Sequence, residues 1–189
     1  MTDITRISSI TTLIILSFFC FQTGIFLCAG HTIKKNARRT LIFIDFFTGF
    51  LLLFDSLAYF YRGNTSITGY YMVRLCNFFV FVCNFSISFL FCFYVCEFIK
   101  QSRLSFTIIF NPKNAIKDGI PLQLFVVLSL SLCGIILTII SQFTNLFYYF
   151  DENNLYHRSS LYFLSIILGL LPSLITLTLL IQKRKQLRR

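Results

Sequence analysis

Five long apolar stretches constrain the fold of this chain more than any other feature of its sequence. They cover residues 8–29, 40–61, 71–99, 121–143 and 160–181, with short polar segments between them. Each stretch meets the roughly 20 residues that a helix needs to cross a hydrocarbon core about 30 Å thick. Backbone groups in lipid must be hydrogen-bonded within a helix or a closed barrel, and these stretches lack the alternating pattern of barrel strands. We therefore expect an all-α, polytopic integral membrane protein with about five transmembrane helices.

The overall composition leads to the same expectation. Hydrophobic residues make up 56% of the chain and charged residues only 13%, whereas a soluble domain has about a quarter charged residues. This composition excludes a soluble globular domain within the chain. We predict one transmembrane domain over residues 1–189, with a basic tail at 182–189.

The positions of the basic residues predict how the helices are oriented. A net charge of +10 could indicate a nucleic-acid-binding protein, but the charges follow the first, third and fifth stretches. These clusters are Lys34, Lys35, Arg38 and Arg39; Lys100, Arg103, Lys113 and Lys117; and Lys183, Arg184, Lys185, Arg188 and Arg189. The segments that follow the second and fourth stretches carry only Arg62 and Arg158, with Arg74 just inside the third stretch. By the positive-inside rule the N-terminus lies outside and the C-terminus in the cytoplasm, so we expect a multi-pass protein of the cell membrane whose partner is the lipid bilayer and not nucleic acid.

Polar residues inside the stretches are candidates for a structural or functional role, because ionisable groups in lipid are costly. The second stretch holds Asp45 and Asp55, and the third holds Arg74, Asn77 and Asn84. A short outer loop brings Asp55 and Arg74 to similar depth, so we predict that they pair. Since no chain of acids continues across the membrane, these residues are expected to fasten helices together in preference to forming an ion pathway.

The loops predicted to lie outside contain the candidate ligand-binding residues. They combine acids, amides, a histidine, arginines and a tyrosine on one side of the membrane. The candidates are Arg62, Asn64, Arg74, Asp151, Glu152, Asn154, Tyr156, His157 and Arg158. The alternative is that short exposed loops are normally polar and use Asn and Gly for turns.

Motifs for catalysis and metal binding are missing from the sequence. All seven cysteines fall inside apolar stretches, and Cys92 and Cys96 share a helix face with only Glu97 beside them, which favours a packing role over a metal site. His31 and His157 are predicted on opposite sides of the membrane, and the chain has no zinc motif, nucleophile elbow or phosphate-binding glycine loop. We expect no enzyme activity, metal or cofactor in this chain.

Four segments of the sequence resemble a known family. They are LFDSLAY at 53–59, RGNT at 62–65, GYYMVRLCNFFVF at 69–81 and YFDENNLYHR at 149–158. Together they are similar to the N-terminal multi-helix membrane-sensor region of receptor-type signalling proteins of gut clostridia. In that bacterial family the region precedes a cytoplasmic output domain, often a diguanylate cyclase with a GGDEF motif and sometimes a histidine kinase. This chain has no GGDEF or kinase motif, so the resemblance implies a truncated gene, a fragment or a free-standing input module.

The preferred interpretation is a sensory or signal-transmitting membrane module without its own catalytic output domain. A small extracellular ligand would bias helix packing, and the tail at 183–189 would pass the change to a signalling partner or a second copy bound through the membrane helices. One alternative is a small transporter or channel subunit, in which oligomerisation places Asp55, Arg74, Asn77 and Asn84 around a polar path. Another is a membrane scaffold for a larger partner.

Overall fold

The computed structural model of the protein describes residues 3–30, 35–100, 104, 116 and 119–187. Within these residues the chain forms five long helices and one short β hairpin. The helices are α1 (Asp3–Ala29), α2 (Lys35–Tyr61), α3 (Ile67–Lys100), α4 (Leu122–Thr144) and α5 (Tyr162–Leu187). The hairpin lies between α4 and α5 and consists of antiparallel β1 (Tyr148–Phe150) and β2 (Tyr156–Arg158).

All five helices are long and apolar enough to cross a membrane, as the sequence predicted. Several extend beyond the apolar stretches: α1 begins at Asp3, α2 at Lys35 and α3 at Ile67. Helical hydrogen bonding continues readily through polar residues once a helix has formed. Large apolar side chains such as Phe18 and Phe143 are exposed on the outer faces, which suits contact with lipid. The short hairpin is an addition to the predicted all-α fold.

Helices that follow one another in the sequence run in opposite directions, and α3 lies at the centre of the bundle. It packs against α2, α4 and α5, whereas α1 packs mainly against α2. Hydrogen bonds join the start of α1 to the end of α2, from Arg6 to Tyr59, and the start of α2 to the end of α3, from Thr40 to Glu97. The bundle therefore has two distinct ends.

We call these the hairpin end and the basic end. The hairpin end contains the starts of α1, α3 and α5, the ends of α2 and α4, and the β hairpin. The basic end is the opposite one, where Arg38, Arg39, Lys100 and Lys183 lie.

Small residues allow the helices to approach closely. A Cβ atom added at Gly49 of α2 would lie 2.8 Å from the ring of Phe21 on α1, and one at Gly134 of α4 would lie 2.7 Å from the ring of Phe85 on α3. The Ser17 hydroxyl of α1 also donates to the Gly49 carbonyl at 2.8 Å. Close backbone approach and interhelical hydrogen bonds are the usual means by which helices associate in lipid.

Buried side chains form one cluster near each end of the bundle. The cluster near the basic end includes Cys92, Phe93 and Cys96 of α3 together with residues of α4 and α5. The other joins Phe85 of α3 to Phe147 and neighbouring residues of the hairpin region. Cys92 and Cys96 are fully buried among apolar neighbours, which agrees with the packing role expected for them.

Candidate ligand site at the hairpin end

The β hairpin is stabilised by the carboxylate of Asp151 at its turn. One oxygen of Asp151 accepts the backbone N–H groups of Asn153 and Leu155, both at 2.9 Å. The other lies 2.9 Å from Nε2 of His157, whose ring stacks on Tyr149 with centroids 5.2 Å apart. The hydrogen bond from His157, and then that from the Leu155 N–H, lowers the pKa of Asp151 below its ordinary value. These two predicted ligand residues therefore fold the turn.

Asn154 fastens the hairpin to the loop between α2 and α3. Its backbone takes the left-handed conformation, at φ 55°, and the residue is 4% exposed. Its side-chain amide donates to the Asn64 carbonyl at 2.8 Å, and its side-chain oxygen accepts from Arg74 at 3.0 Å. The Asn154 carbonyl also accepts from the Gly63 N–H at 3.4 Å. One side chain thus links the hairpin, the α2–α3 loop and α3.

Arg74 does not form the predicted pair with Asp55. Besides Asn154, its guanidinium donates to the Tyr70 carbonyl at 2.9 Å and lies over the Tyr70 and Phe150 rings, 3.6 and 4.8 Å from their centroids. An amide oxygen and two aromatic faces supply the partners that a partly desolvated guanidinium needs. The prediction was wrong because the hairpin, which comes about eighty residues later, draws the Arg74 side chain away from α2.

Arg6 attaches α1 to the end of α2. Its guanidinium donates to the carbonyls of Tyr59 at 3.1 Å, Phe60 at 2.8 Å and Arg62 at 3.0 Å. The last carbonyls of a helix have no partner within it and form the negative end of its dipole, so a cation is stabilised there. Sequence reasoning gave Arg6 no role. An arginine on the predicted outer side, where basic residues are rare, was the available signal.

Between α2, α3 and the hairpin lies a cavity of about 190 Å³, which we call the polar cavity. From α2 it is lined by Asp55, Ala58 and Tyr59, and Arg62, directly after the helix, continues this wall. The spacing of three and four residues places Ala58 and Tyr59 on the same helical face as Asp55. The α3 wall is formed by Val73, Asn77, Val80 and Phe81, and the remaining wall by Tyr156, Arg158 and Tyr162.

The charges of the polar cavity are not paired with one another. Asp55 forms no hydrogen bond or ion pair with any residue that the structure describes, and the same holds for the Arg62 side chain. Arg158 lies over the Tyr162 ring at 4.7 Å and forms no ion pair within the described residues. Burial raises the pKa of Tyr156, so its phenol stays neutral. A carboxylate and two guanidiniums thus face a small cavity with their binding capacity unused.

A second, wider cleft of about 640 Å³ lies on the other side of the hairpin, between it and the start of α3. Its wall includes Arg74, Asp151, Glu152 and Asn154. Arg74, Asp151 and Asn154 already form the hydrogen bonds that hold the hairpin. The polar cavity is therefore the better candidate for a ligand site.

The structure divides the nine residues that the sequence analysis proposed as ligand contacts. Those that line the polar cavity are Arg62, Tyr156 and Arg158. Those that line the wider cleft are Arg74, Asp151, Glu152 and Asn154. The other two stabilise turns: Asn64 accepts the Ser66 N–H at 2.9 Å, and His157 contacts Asp151.

The cavity also contains residues that the sequence analysis treated as structural or did not select. Asp55 and Asn77 were expected to fasten helices, with a polar path in an oligomer as the alternative, and Tyr59 and Tyr162 were not selected. The spacing of four residues that puts Asp55 and Tyr59 on one face of α2, with Arg62 three residues further on, was the signal that could have identified this wall.

The four residues of the predicted transport path do not lie around one cavity in the single chain. Asp55 and Asn77 line the polar cavity, and Arg74 lines the wider cleft. Asn84 lies at the crossing of α3 and α5, where its amide nitrogen would be 3.2 Å from a Cβ added at Gly169. Formation of a path by several copies stays a prediction.

Two further acids lie in the helices. Asp45 is half-buried where α2 faces α1, its Cβ 3.5 Å from a Cβ added at Gly24. Glu97, at the basic end, is 3% exposed and accepts the Thr40 hydroxyl at 2.6 Å and the Leu104 N–H at 3.2 Å. Glu97 was considered in the sequence only as a neighbour of cysteines. It is the buried link between α2, α3 and the residues that follow α3.

No protein-family model, curated protein or solved structure matches this chain.

Proposed function

We propose that the protein is a sensory input module of the cell membrane, with the hairpin end outside and the basic end in the cytoplasm. A small polar ligand enters the polar cavity from outside and changes how α2 packs against α3 and the hairpin. The observation that carries this proposal is the cavity itself, in which the unpaired Asp55 and Arg62, at the end of α2 and directly after it, lie among the same lining residues as the unpaired Arg158 of the distant hairpin. The resemblance to clostridial sensor regions supports the same role.

The orientation is supported by the distribution of basic residues over the two ends. Arg38, Arg39, Lys100 and Lys183 lie at one end of the bundle, and positively charged residues favour the cytoplasmic side. The hairpin end has few basic residues, and those described there bind backbone carbonyls, rings or Asn154, or face the cavity.

A continuous helix connects the cavity to the cytoplasmic end. Asp55 and Thr40 lie on α2, fifteen residues apart or about 22 Å along the helix. A rotation or displacement of α2 at the cavity therefore acts on the bond from Thr40 to Glu97. A ligand shifts this equilibrium only through unequal affinity for the two packings, about 1.4 kcal/mol for each tenfold change.

The test uses the full chain in lipid nanodiscs with a fixed set of probes: glycine, alanine, succinate, putrescine, glucose and adenosine. At least one probe should raise the melting temperature and slow hydrogen exchange in the hairpin. It should also change exchange near Thr40 and Glu97. The double variant Arg62→Gln/Arg158→Gln should lose these effects, whereas the control Lys183→Gln should keep them. No change with any probe would contradict a ligand-binding sensor.

A further inference from the structure

We infer that the polar cavity binds a small zwitterion, with its ammonium group at Asp55 and its anionic group between Arg62 and Arg158. This inference rests on the proposed function, since it names the ligand class of the same site. Asp55 lies on α2 seven residues before Arg62, which directly follows the helix, so Asp55 is about 10 Å deeper along the helix axis. The carboxylate therefore belongs to the inner part of the cavity and the guanidiniums to its rim.

The three charges disfavour ligands that carry only one kind of charge. A simple anion would pair with Arg62 and Arg158 but leave the Asp55 carboxylate desolvated and close to a like charge. A simple cation would meet Asp55 only by passing two guanidiniums. A ligand with both charges gives each of the three groups an opposite charge, and guanidiniums bind a carboxylate or phosphate in a bidentate manner.

The size and walls of the cavity limit the rest of the ligand. Its volume of about 190 Å³ is below the range of about 300 to 1,000 Å³ that accommodates drug-sized ligands. Ala58, Val73, Val80 and Phe81 supply apolar surface between the charged groups. The ligand is therefore a short aliphatic unit with an ammonium at one end and an anion a few atoms away.

Two sources can supply this chemistry: a free amino acid, and the ethanolamine phosphate headgroup of a membrane lipid. The cavity lies at the end of the helices, where both are within reach. Nanodiscs made only of phosphatidylglycerol contain no headgroup ammonium, so they isolate the free ligands. Adding phosphatidylethanolamine tests the lipid.

A tryptophan at the cavity gives a direct readout, because the chain contains none. The variant Tyr59→Trp keeps the backbone carbonyl that binds Arg6 and places the indole in the cavity wall. In phosphatidylglycerol nanodiscs, its fluorescence is titrated with glycine, alanine, β-alanine and γ-aminobutyrate. Acetate, propionate and ethylamine serve as matched probes with one charge. Melting of the wild-type chain with the same probes replaces fluorescence if the variant does not fold.

We expect saturable binding of at least one zwitterion, or of phosphatidylethanolamine. The singly charged probes should bind with an affinity at least about tenfold lower. In the same reporter, Asp55→Asn should lower the affinity for the zwitterion by about 10- to 100-fold without lowering the affinity for the matched carboxylate. Asp45→Asn on the same helix is the control and should change neither. Circular dichroism and the melting temperature establish that each variant is folded.

The outcomes separate this inference from the proposed function. If carboxylates bind as tightly as zwitterions and Asp55→Asn has no effect, the zwitterion assignment is overturned while an anion sensor stands. If a zwitterion binds but hydrogen exchange at Thr40 and Glu97 does not change, the ligand class is supported and the sensory role is contradicted. If no probe binds, including phosphatidylethanolamine, both proposals fail.

Discussion

The two ends of the bundle use polar residues in different ways. At the hairpin end, Arg6 and Asn154 bind backbone carbonyls of separate elements, while three other charged groups remain unpaired around a cavity. At the basic end, the buried carboxylate of Glu97 is fully engaged by Thr40 and Leu104. A buried carboxylate whose two oxygens both accept hydrogen bonds therefore holds helices together, whereas unpaired charged groups beside a cavity are available to bind a ligand.

The largest effect should come from Asn154→Ala, which tests whether the hairpin end depends on one side chain. The variant loses two side-chain hydrogen bonds, one of them to a guanidinium, and destabilises the protein by about 3 kcal/mol. Unfolding in mixed micelles titrated with SDS measures the change.

Asn145→Ala is the matched control, because Asn145 has the same φ of 55° but is exposed and caps α4 through its backbone. Asn145→Ala should lower the free energy of unfolding by about 1 kcal/mol, because alanine is disfavoured in the left-handed backbone conformation. Equal losses in the two variants would show that the backbone conformation, and not the Asn154 side-chain contacts, explains the effect.

The next effect concerns the basic end. Thr40→Val keeps the shape of the side chain but removes the hydroxyl that donates to Glu97. Because both residues are buried, the free energy of unfolding should fall by about 2 kcal/mol. The same unfolding measurement applies. Thr48→Val is the control on the same helix, since the Thr48 hydroxyl binds only the Ile44 carbonyl four residues earlier. If Thr40→Val and Thr48→Val lowered the free energy of unfolding equally, the hydrogen bond from Thr40 to Glu97 would not hold α2 and α3 together.

A smaller effect is expected for Arg6→Gln. The variant loses hydrogen bonds to three carbonyls at the end of α2, part of them exposed, and should cost about 1 kcal/mol. Faster hydrogen exchange at the start of α1 and the end of α2 would measure it. Arg39→Gln, at the basic end, should leave exchange in these segments unchanged.

The smallest effect is a pH dependence of the hairpin. Since the pKa of Asp151 is lowered in the folded protein, the contribution of its carboxylate to the stability of the hairpin is fully present above the ordinary carboxyl pKa of about 4. The contribution is lost as the pH falls through the lower value of the folded state. Hydrogen exchange of the hairpin between pH 6 and pH 2, corrected for intrinsic rates, should show this loss in the wild type and in Glu152→Gln but not in Asp151→Asn. An identical profile for Asp151→Asn would assign the dependence to another group.

The helices could be predicted from the sequence, but the contacts between distant segments could not. A run of about 20 apolar residues is enough to specify a spanning helix, because lipid leaves few other solutions. The short loop between the second and third runs also predicted a similar depth for Asp55 and Arg74. Depth does not determine which way a side chain turns, and Arg74 turns toward Asn154, whose position depends on the packing of the hairpin.

The candidate site was predicted only in part, because it also depends on contacts between segments that are distant in the sequence. Arg62, Tyr156 and Arg158 were identified because polar residues in outer loops are natural ligand contacts. Asp151 and His157 were selected on the same ground, yet they stabilise the turn through contacts that exist only once the hairpin has formed. Asp55 was predicted to pair with Arg74, so its position in the wall of the polar cavity was missed.

The length of α3 has a further consequence for the protein in a membrane. Its 34 residues span about 51 Å, well beyond a hydrocarbon layer of about 30 Å, so the helix must tilt or extend past the layer. Thickening the bilayer would bring α3 closer to the membrane normal, and thinning it would increase the tilt. Because α3 carries both Asn77 in the cavity and Glu97 at the opposite end, a change of its tilt in a bilayer would act on both places at once.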